Sequence, residues 1–300
     1  MMTALKEKTL RGEMKYEEPM AKHTTWRVGG KADKFYTPAD IDDLSEMLAS
    51  LPDDEPIFWL GLGSNLLVRD GGIRGTVIAL KGSLSDIESM DTNKIKVGAG
   101  VSCAKLARYC NKHDLVGGEF FAGIPGLLGG ALAMNAGAFG GETWRHVESL
   151  TTMDRHGKIH QRIPSDYEIG YRTVNGPLGE WFVEAVLHFD QGDGKQAAMD
   201  VRKLLDKRAE TQPVGLPSCG SVFRNPQGDY AARLIEASGL KGVRIGGAEV
   251  STKHANFIIN ADKATAQDIE KLIYYVQQQV KQKQGVDLRT EVKMVGEQCA

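Results

Sequence analysis

The chain has 300 residues, of which 41% are hydrophobic and 25% charged, with a formal net charge of −2. Its length exceeds one ordinary hydrophobic core and predicts two or three domains. So balanced a charge excludes a general electrostatic attraction to nucleic acid or to an acidic membrane surface.

Residues 40–50, DIDDLSEMLAS, predict an amphipathic helix after Pro38. Short buried strands at Ile57–Leu60 and Leu66–Val68 flank a glycine-rich turn, and strands at Thr76–Leu80 and Lys94–Val97 follow. Ser102 is placed to cap a helix reaching about His113. Strands are then expected at 147–153, 158–163 and 181–189, the last spelled WFVEAVLHF. Strands interspersed with helices over this first two-thirds give an α+β pattern. The polar segment Asp190–Lys195 leads into a charged helix at about 196–210. Next come a helix capped by Asp229 and ended by Gly239, a strand at Asn256–Asn260, and an amphipathic helix from Thr265 to Gln284 ended by Gly285. The closing VDLRTEVKMVG alternates with period two. It predicts a strand with Val286, Leu288, Thr290, Val292 and Met294 on one face and Asp287, Arg289, Glu291 and Lys293 on the other.

The stretch Gly117–Gly141, GGEFFAGIPGLLGGALAMNAGAFGG, holds nine glycines in 25 residues. Within it Phe120–Gly141 carries no charge and is long enough to cross a bilayer, but its glycines, Pro125 and Asn135 interrupt such a span. A glycine-packed loop beside a short buried helix is expected, with main-chain N–H groups able to approach a ligand closely. GLGSN at 61–65, beside a strand, reads equally as a tight turn or as a phosphate cradle; taken with the longer stretch, a diphosphate-bearing cofactor is favoured. G-x-G-x-x-G and Walker A motifs are absent, so a Rossmann domain is not expected. Ser221 lacks the flanking glycines of a nucleophile elbow, since 219 is Cys and 223 is Phe. The seven histidines are scattered and H-E-x-x-H is missing, so no catalytic metal is expected. Cys103, Cys110, Cys219 and Cys299 show no C-x-x-C and no metal spacing, which points to reduced thiols in a cytosol; Cys103 and Cys110 read as core thiols. The first twenty residues contain no apolar core of signal length. A cytoplasmic protein with no membrane anchor, no nucleic acid and no obligate protein partner is expected.

Seven segments together resemble the UDP-N-acetylenolpyruvoylglucosamine reductase family, flavoenzymes of bacterial peptidoglycan precursor synthesis. They are HTTWRVGGKAD (23–33), GLGSNLLVRDGGIRGTVIAL (61–80), GIPGLLGGALAMNAGAFGGE (123–142), YEIGYRT (167–173), PSCGSVFRNP (217–226), VSTKHANFIIN (250–260) and LRTEVKMVG (288–296). The short interval between Tyr171-Arg172 and Ser221 resembles the shorter form of the family, which lacks an extra substrate-covering loop carrying a tyrosine. The resemblance implies an α+β FAD-binding fold of the vanillyl-alcohol-oxidase/p-cresol-methylhydroxylase type. It would comprise FAD-binding subdomains at 1–80 and 81–199, a substrate-binding domain at 200–287, and a strand at 288–300 returning to the FAD-binding part. FAD would be held by Leu60, Gly61, Gly63, Ser64 and Asn65 at its diphosphate and by Gly123, Ile124, Pro125, Gly126, Gly129, Ala131 and Asn135 elsewhere. No His or Cys occurs within 61–70 or 120–142, so the FAD is expected to be non-covalent.

The chemistry so implied is reduction of an enol ether, with NADPH as hydride donor to the flavin and the flavin as donor to C3 of the enolpyruvyl group. It requires a cation or acid at the substrate carboxylate and a proton for C2. The resemblance assigns Arg172 to the carboxylate, Ser221 to the proton and Glu291 to enolate stabilisation. Taken alone, the three read as a surface arginine, a turn-capping serine and a solvated strand glutamate. Arg289 and Lys293 beside Glu291 favour its ionised form, which sits awkwardly with proton donation. Substrate contacts are expected from Tyr171, Asn225, His254 and Lys293, with Arg208, Gln212 and Arg224 available to a sugar-nucleotide diphosphate. A flavin oxidase of the same fold acting on a small alcohol, and a catalytically silent flavin- or UDP-sugar-binding protein, are the competing readings.

Overall fold

Residues 10–299 are described by the structure, a computed structural model; the expectation about a leader rests partly on residues 1–9, which lie outside them. The chain divides into two units, each assembled from separated stretches. Residues 10–15, 35–61 and 77–198 make the first, and 16–34, 62–76 and 199–299 the second. The chain passes from one unit to the other within the strands Glu13–Pro19, Lys31–Thr37 and Ile73–Ala79.

In the first unit, helix α1 (Ile41–Ser50) starts where the Asp40 carboxylate accepts the Asp43 N–H at 2.9 Å, and it buries Leu44, Met47 and Leu48. Asp43 lies on the same inward face and is also buried. The Tyr36 hydroxyl donates to its carboxylate at 2.6 Å, the Arg11 N–H at 2.6 Å and the Ala39 N–H at 2.9 Å. Burial pushes this carboxyl up, but the hydrogen bonds outweigh it and hold Asp43 below the ordinary aspartate value. An antiparallel sheet follows, in the order Ile159–Arg162, Val147–Asp154, Glu180–His188, Lys94–Gly98, Ile87–Ser89. Helix α2 (Cys103–Lys112) is capped by Ser102, whose hydroxyl accepts the Lys105 N–H at 3.2 Å. Its buried residues, Cys103, Leu106, Ala107 and Cys110, recur at helical spacing. Burial pushes both thiols up to about 12, so they behave as core apolar groups. With Phe120, Phe121 and the short helix α3 (Leu128–Ala133), α2 closes the core against Val97, Leu150, Ala185 and Leu187.

Helix α4 (Gly194–Thr211) is charged and largely exposed, as its sequence implies. In the second unit, α5 (Ala231–Ala237), α6 (Ala266–Gln284) and a three-stranded antiparallel sheet, Arg244–Ile245, Ala248–Val250, Ile258–Asn260, share one core. Trp26 is wholly buried in that core and donates its indole N–H to the Ile258 carbonyl at 2.7 Å. The start of α6 is satisfied twice over. Thr265 and Asp268 exchange a reciprocal pair of hydrogen bonds at 3.0 Å, and the Asp70 carboxylate accepts the N–H groups of Ala266 and Gln267 at 3.0 and 2.9 Å. Gly285 ends the helix in the left-handed conformation.

Two expectations are corrected. Asp229 does not cap α5: it binds the Tyr230 N–H and the Arg233 guanidinium, while the Asn225 side chain accepts the Ala231 N–H at 3.1 Å. The closing segment is a strand only over Lys293–Val295, paired in parallel with Leu66–Val68. Before it the neighbour is the irregular stretch 222–224, which offers bonds to Arg289 and Glu291 and a single bridge to Thr290 rather than a ladder. The alternation survives as burial, with Leu288 and Val292 in the core and Asp287, Arg289 and Lys293 exposed. No helix among the described residues is long and apolar enough to cross a membrane.

Because Asp43 titrates below the ordinary aspartate value of 3.8, its stabilisation is complete above that value and lost as pH falls through the lower folded one. Asp43→Asn is expected to cost about 2 kcal/mol at pH 7, and urea denaturation repeated at falling pH should show the gap to the parent chain closing below 3.8.

Candidate active site

In the first unit the glycine-rich stretch is stitched to the residues after Lys94–Gly98. The Cys103 N–H donates to Gly126 O at 2.9 Å, Leu128 N–H to Val101 O at 2.8 Å, and Gly129 N–H to Ala99 O at 2.9 Å. A Cβ on Gly129 would lie 3.1 Å from that of Ala99, so glycine permits this approach. Beyond α3 the chain makes a two-residue hairpin, Gly137–Ala138 against Gly141–Glu142, with Phe139 and Gly140 at φ +53° and +87°. Positive φ at both central residues is the type I′ requirement.

A cavity of about 180 Å³ opens beside this stitch. Leu60, Gly61 and Gly129, all expected at the cofactor, line it together with Trp59, Leu127, Gly130, Glu180, Trp181 and Phe182. Trp59 and Trp181 stack with ring centroids 5.2 Å apart and planes at 21°. The buried indole N–H of Trp59 has no acceptor among the described residues. These residues suit FAD: aromatic and apolar walls for a planar ring, an indole donor lacking a partner, and at Gly130 a position where a Cβ would meet no atom within 4 Å. None of the two tryptophans, Leu127, Gly130 and Glu180 was singled out by the sequence. Gly130 lay inside the glycine-rich run, but nothing local tells that the two tryptophans face each other.

Tyr171 and Arg172 form the turn between the paired strands Glu168–Gly170 and Thr173–Asn175. Arg172 stands at φ +55°, with its guanidinium carbon 5.3 Å from the Tyr171 ring centroid. The guanidinium donates to the carbonyls of Asn135 at 3.3 Å and Gly137 at 2.9 Å. The end of the glycine-rich stretch and the expected carboxylate-binding residue are thus joined by main-chain acceptors.

In the second unit Gly63 has φ +62°, and a Cβ there would lie 2.1 Å from His23 O. Gly63 O accepts the Thr25 N–H at 3.2 Å, and the backbone N–H groups of Leu62, Gly63 and Ser64 donate to no described residue. Glu291 donates its N–H to Val222 O at 2.8 Å, the Asn65 side chain donates to Glu291 O at 3.2 Å, and the Lys293 N–H donates to Asn65 O at 3.1 Å. Ser221, half-buried, is the neighbour of Val222. Val222, Glu291, Lys293 and Asn65 therefore come together on one backbone clasp, with Ser221 next to Val222 in the chain. Asn256, not singled out by the sequence, fixes the same strand of chain through both its amide atoms on Phe223, at 3.0 and 2.8 Å. The other expected substrate contacts have partners of their own within the second unit. Asn225 caps α5, and the His254 ring packs edge-on against Phe257 at 4.8 Å, burial holding its pKa below the ordinary histidine value. Arg208 donates to Gln212 at 2.7 Å, and burial pulls its guanidinium pKa down.

Residues 32–162 match a family described as FAD binding domain, and residues 212–295 match UDP-N-acetylenolpyruvoylglucosamine reductase, C-terminal domain. A UDP-N-acetylenolpyruvoylglucosamine reductase of Alkalilimnicola ehrlichii is 56% identical over 296 residues, 99% of each chain. That of Methylococcus capsulatus is 57% identical over 287 residues, 96% of this chain and 94% of the other. The crystal structure of the Thermus caldophilus enzyme superposes with a TM-score of 0.80 at 31% identity, covering 95% of this chain and 99% of that one.

Gly130→Leu is expected to fill the cavity without straining the backbone, since leucine favours a helical position over glycine. Flavin titration of the apoprotein should show FAD affinity reduced by at least about tenfold, with the thermal midpoint of the apoprotein no lower than that of the parent.

Proposed function

Because this chain belongs to the UDP-N-acetylenolpyruvoylglucosamine reductase family, we propose that it uses NADPH to reduce the enolpyruvyl group of UDP-N-acetylglucosamine-enolpyruvate, giving UDP-N-acetylmuramate. It is an FAD-dependent oxidoreductase of peptidoglycan precursor synthesis. Its four cysteines are unpaired thiols, in keeping with the cytoplasmic location we assign to it.

Reduction adds a hydride to C3 and a proton to C2 of the enolpyruvyl group, while NADPH leaves as its oxidised form. The chemistry supplied by bound FAD is two-electron carriage between the nicotinamide and that double bond. The chain's own residues do the rest. Leu62, Gly63 and Ser64 present backbone N–H groups suited to the diphosphate. Arg172 holds the substrate carboxylate and offsets the negative charge that grows there. Ser221 gives its hydroxyl proton to C2, and Glu291 stabilises the enolate-like charge as a hydrogen-bond donor, a role that requires its protonated form. Tyr171, Asn225, His254 and Lys293 orient the sugar nucleotide. The FAD is held non-covalently.

The observation that carries this reading is the clasp of Val222, Glu291 and Asn65. It fixes the residue beside Ser221, the main chain of Glu291 and the end of the 61–65 loop with the same few hydrogen bonds, which supports assigning proton donation, charge stabilisation and cofactor binding to these neighbouring segments.

An anaerobic single turnover tests it. One equivalent of NADPH bleaches the flavin, and UDP-N-acetylglucosamine-enolpyruvate restores the oxidised spectrum. Ser221→Ala should leave the bleaching unchanged and slow the return by about 10³-fold. A flavin that stays reduced in the parent chain would remove the substrate assignment.

A further inference from the structure

The Asn135 side chain faces protein on every side. It is 3% exposed, and its backbone sits at φ +44°, in the left-handed region that asparagine tolerates better than most residues. One amide N–H donates to Glu142 Oε2 at 3.3 Å and the other to Gly170 O at 3.3 Å, while Oδ1 accepts the Trp144 N–H at 3.2 Å. Both donors and the acceptor are thereby engaged. Its main-chain carbonyl receives the Arg172 guanidinium. Asn135 therefore grips the hairpin at two points, the first strand through its amide at Gly170 and the turn itself through its carbonyl at Arg172. The first strand of this hairpin is solvent-facing, with Glu168, Ile169 and Gly170 all exposed.

We propose that Asn135 is a positioning residue for the reaction rather than a cofactor ligand: its αL backbone and fully bonded amide aim Arg172 at the substrate carboxylate. This rests on the reading of Arg172 given above. A carbonyl can orient a guanidinium only if its own direction is fixed. The direction of Asn135 O is set by a strained φ, and the three side-chain bonds keep that φ in place. Gly137, the second acceptor, is two residues on and is held by pairing with Glu142, the residue that the Asn135 amide also binds. The Asn135 side chain thus bears directly on its own carbonyl and, through Glu142, on the hairpin that carries the Gly137 carbonyl.

The test uses the FAD-loaded protein and separates the two half-reactions. Asn135→Asp keeps the shape, the left-handed backbone and the acceptor for Trp144, but removes both N–H donors. Asn135→Gly keeps the backbone and removes the amide. Both should retain FAD and be bleached by NADPH within about twofold of the parent rate. Both should raise the KM of the enolpyruvyl substrate by about tenfold, the scale of losing a buried hydrogen bond. Arg172→Lys supplies the reference. Combined with it, the Asn135 effect should shrink to near nothing, because the two act on one contact. Independent, multiplying effects would overturn the proposal, as would loss of FAD or of NADPH bleaching in step with the substrate reaction. If Arg172→Lys alone leaves the substrate KM and turnover unchanged, the reading of Arg172 fails first. If only the Asn135 variants are silent, this inference fails and that reading stands.

Discussion

At Gly63 the main chain passes so close to His23 that a Cβ would sit 2.1 Å from its carbonyl oxygen, and at Gly129 it lies against Ala99 with only 3.1 Å to spare. Such approach lets backbone bond to backbone where side chains would hold the strands of chain apart. The first contact shapes the 61–65 loop, and the second stitches the glycine-rich stretch to the residues after Lys94–Gly98. Leu127, Gly129 and Gly130 in this stitch line the cavity, and Asn135 and Gly137, farther along the same stretch, accept the Arg172 guanidinium. Its cost in chain entropy is offset in the first unit by Phe120, Phe121, Leu128 and Leu132, which are buried among the glycines.

Local chemistry was readable in the sequence because it acts over a few residues. Ser102, Thr265 and Gly285 mark helix ends through bonds to groups three or four positions away, and the helices fall where those residues put them. The family resemblance supplied the α+β FAD-binding fold and the activity, since its seven segments keep their order along nearly the whole chain. What stayed hidden is long-range. Trp59 and Trp181 each sit in an unremarkable β-rich run, and only folding makes them stack. Asp70 reaches a helix start 196 residues away. The closing segment misled because period-two burial does not require a strand; it requires only an extended chain with one side covered, and the irregular stretch 222–224 covers it. Asp229 misled because the Asn225 side chain had already taken the first N–H of α5.

The second unit divides labour between main chain and side chain. Glu291 and Lys293 are gripped through backbone groups, whereas Asn65, Asn256 and Asp70 spend their side chains on holding other segments. The Arg69 guanidinium adds a two-pronged pair with Glu270 at 2.9 and 3.1 Å. Glu270 is 6% exposed, and a pair so placed loses more when one partner is removed than it contributes when intact. Polar groups of this kind fix which segments lie side by side, while Trp26, Phe223, Leu272 and Ile273 supply the bulk of the apolar burial.

The second unit draws on residues 16–34, 62–76 and 199–299, with all of the intervening chain given to the first. During synthesis, Leu66–Val68 has no parallel partner until Lys293–Val295 has been made, and Asp70 has no helix to cap until residue 266 has followed. The first unit, whose last residue is 198, is complete about a hundred residues earlier. Vectorial folding should therefore deliver the first unit while the early segments of the second wait with their apolar faces uncovered. Those faces, at Trp26 and Leu67, find most of their core partners only among residues of the last third of the chain.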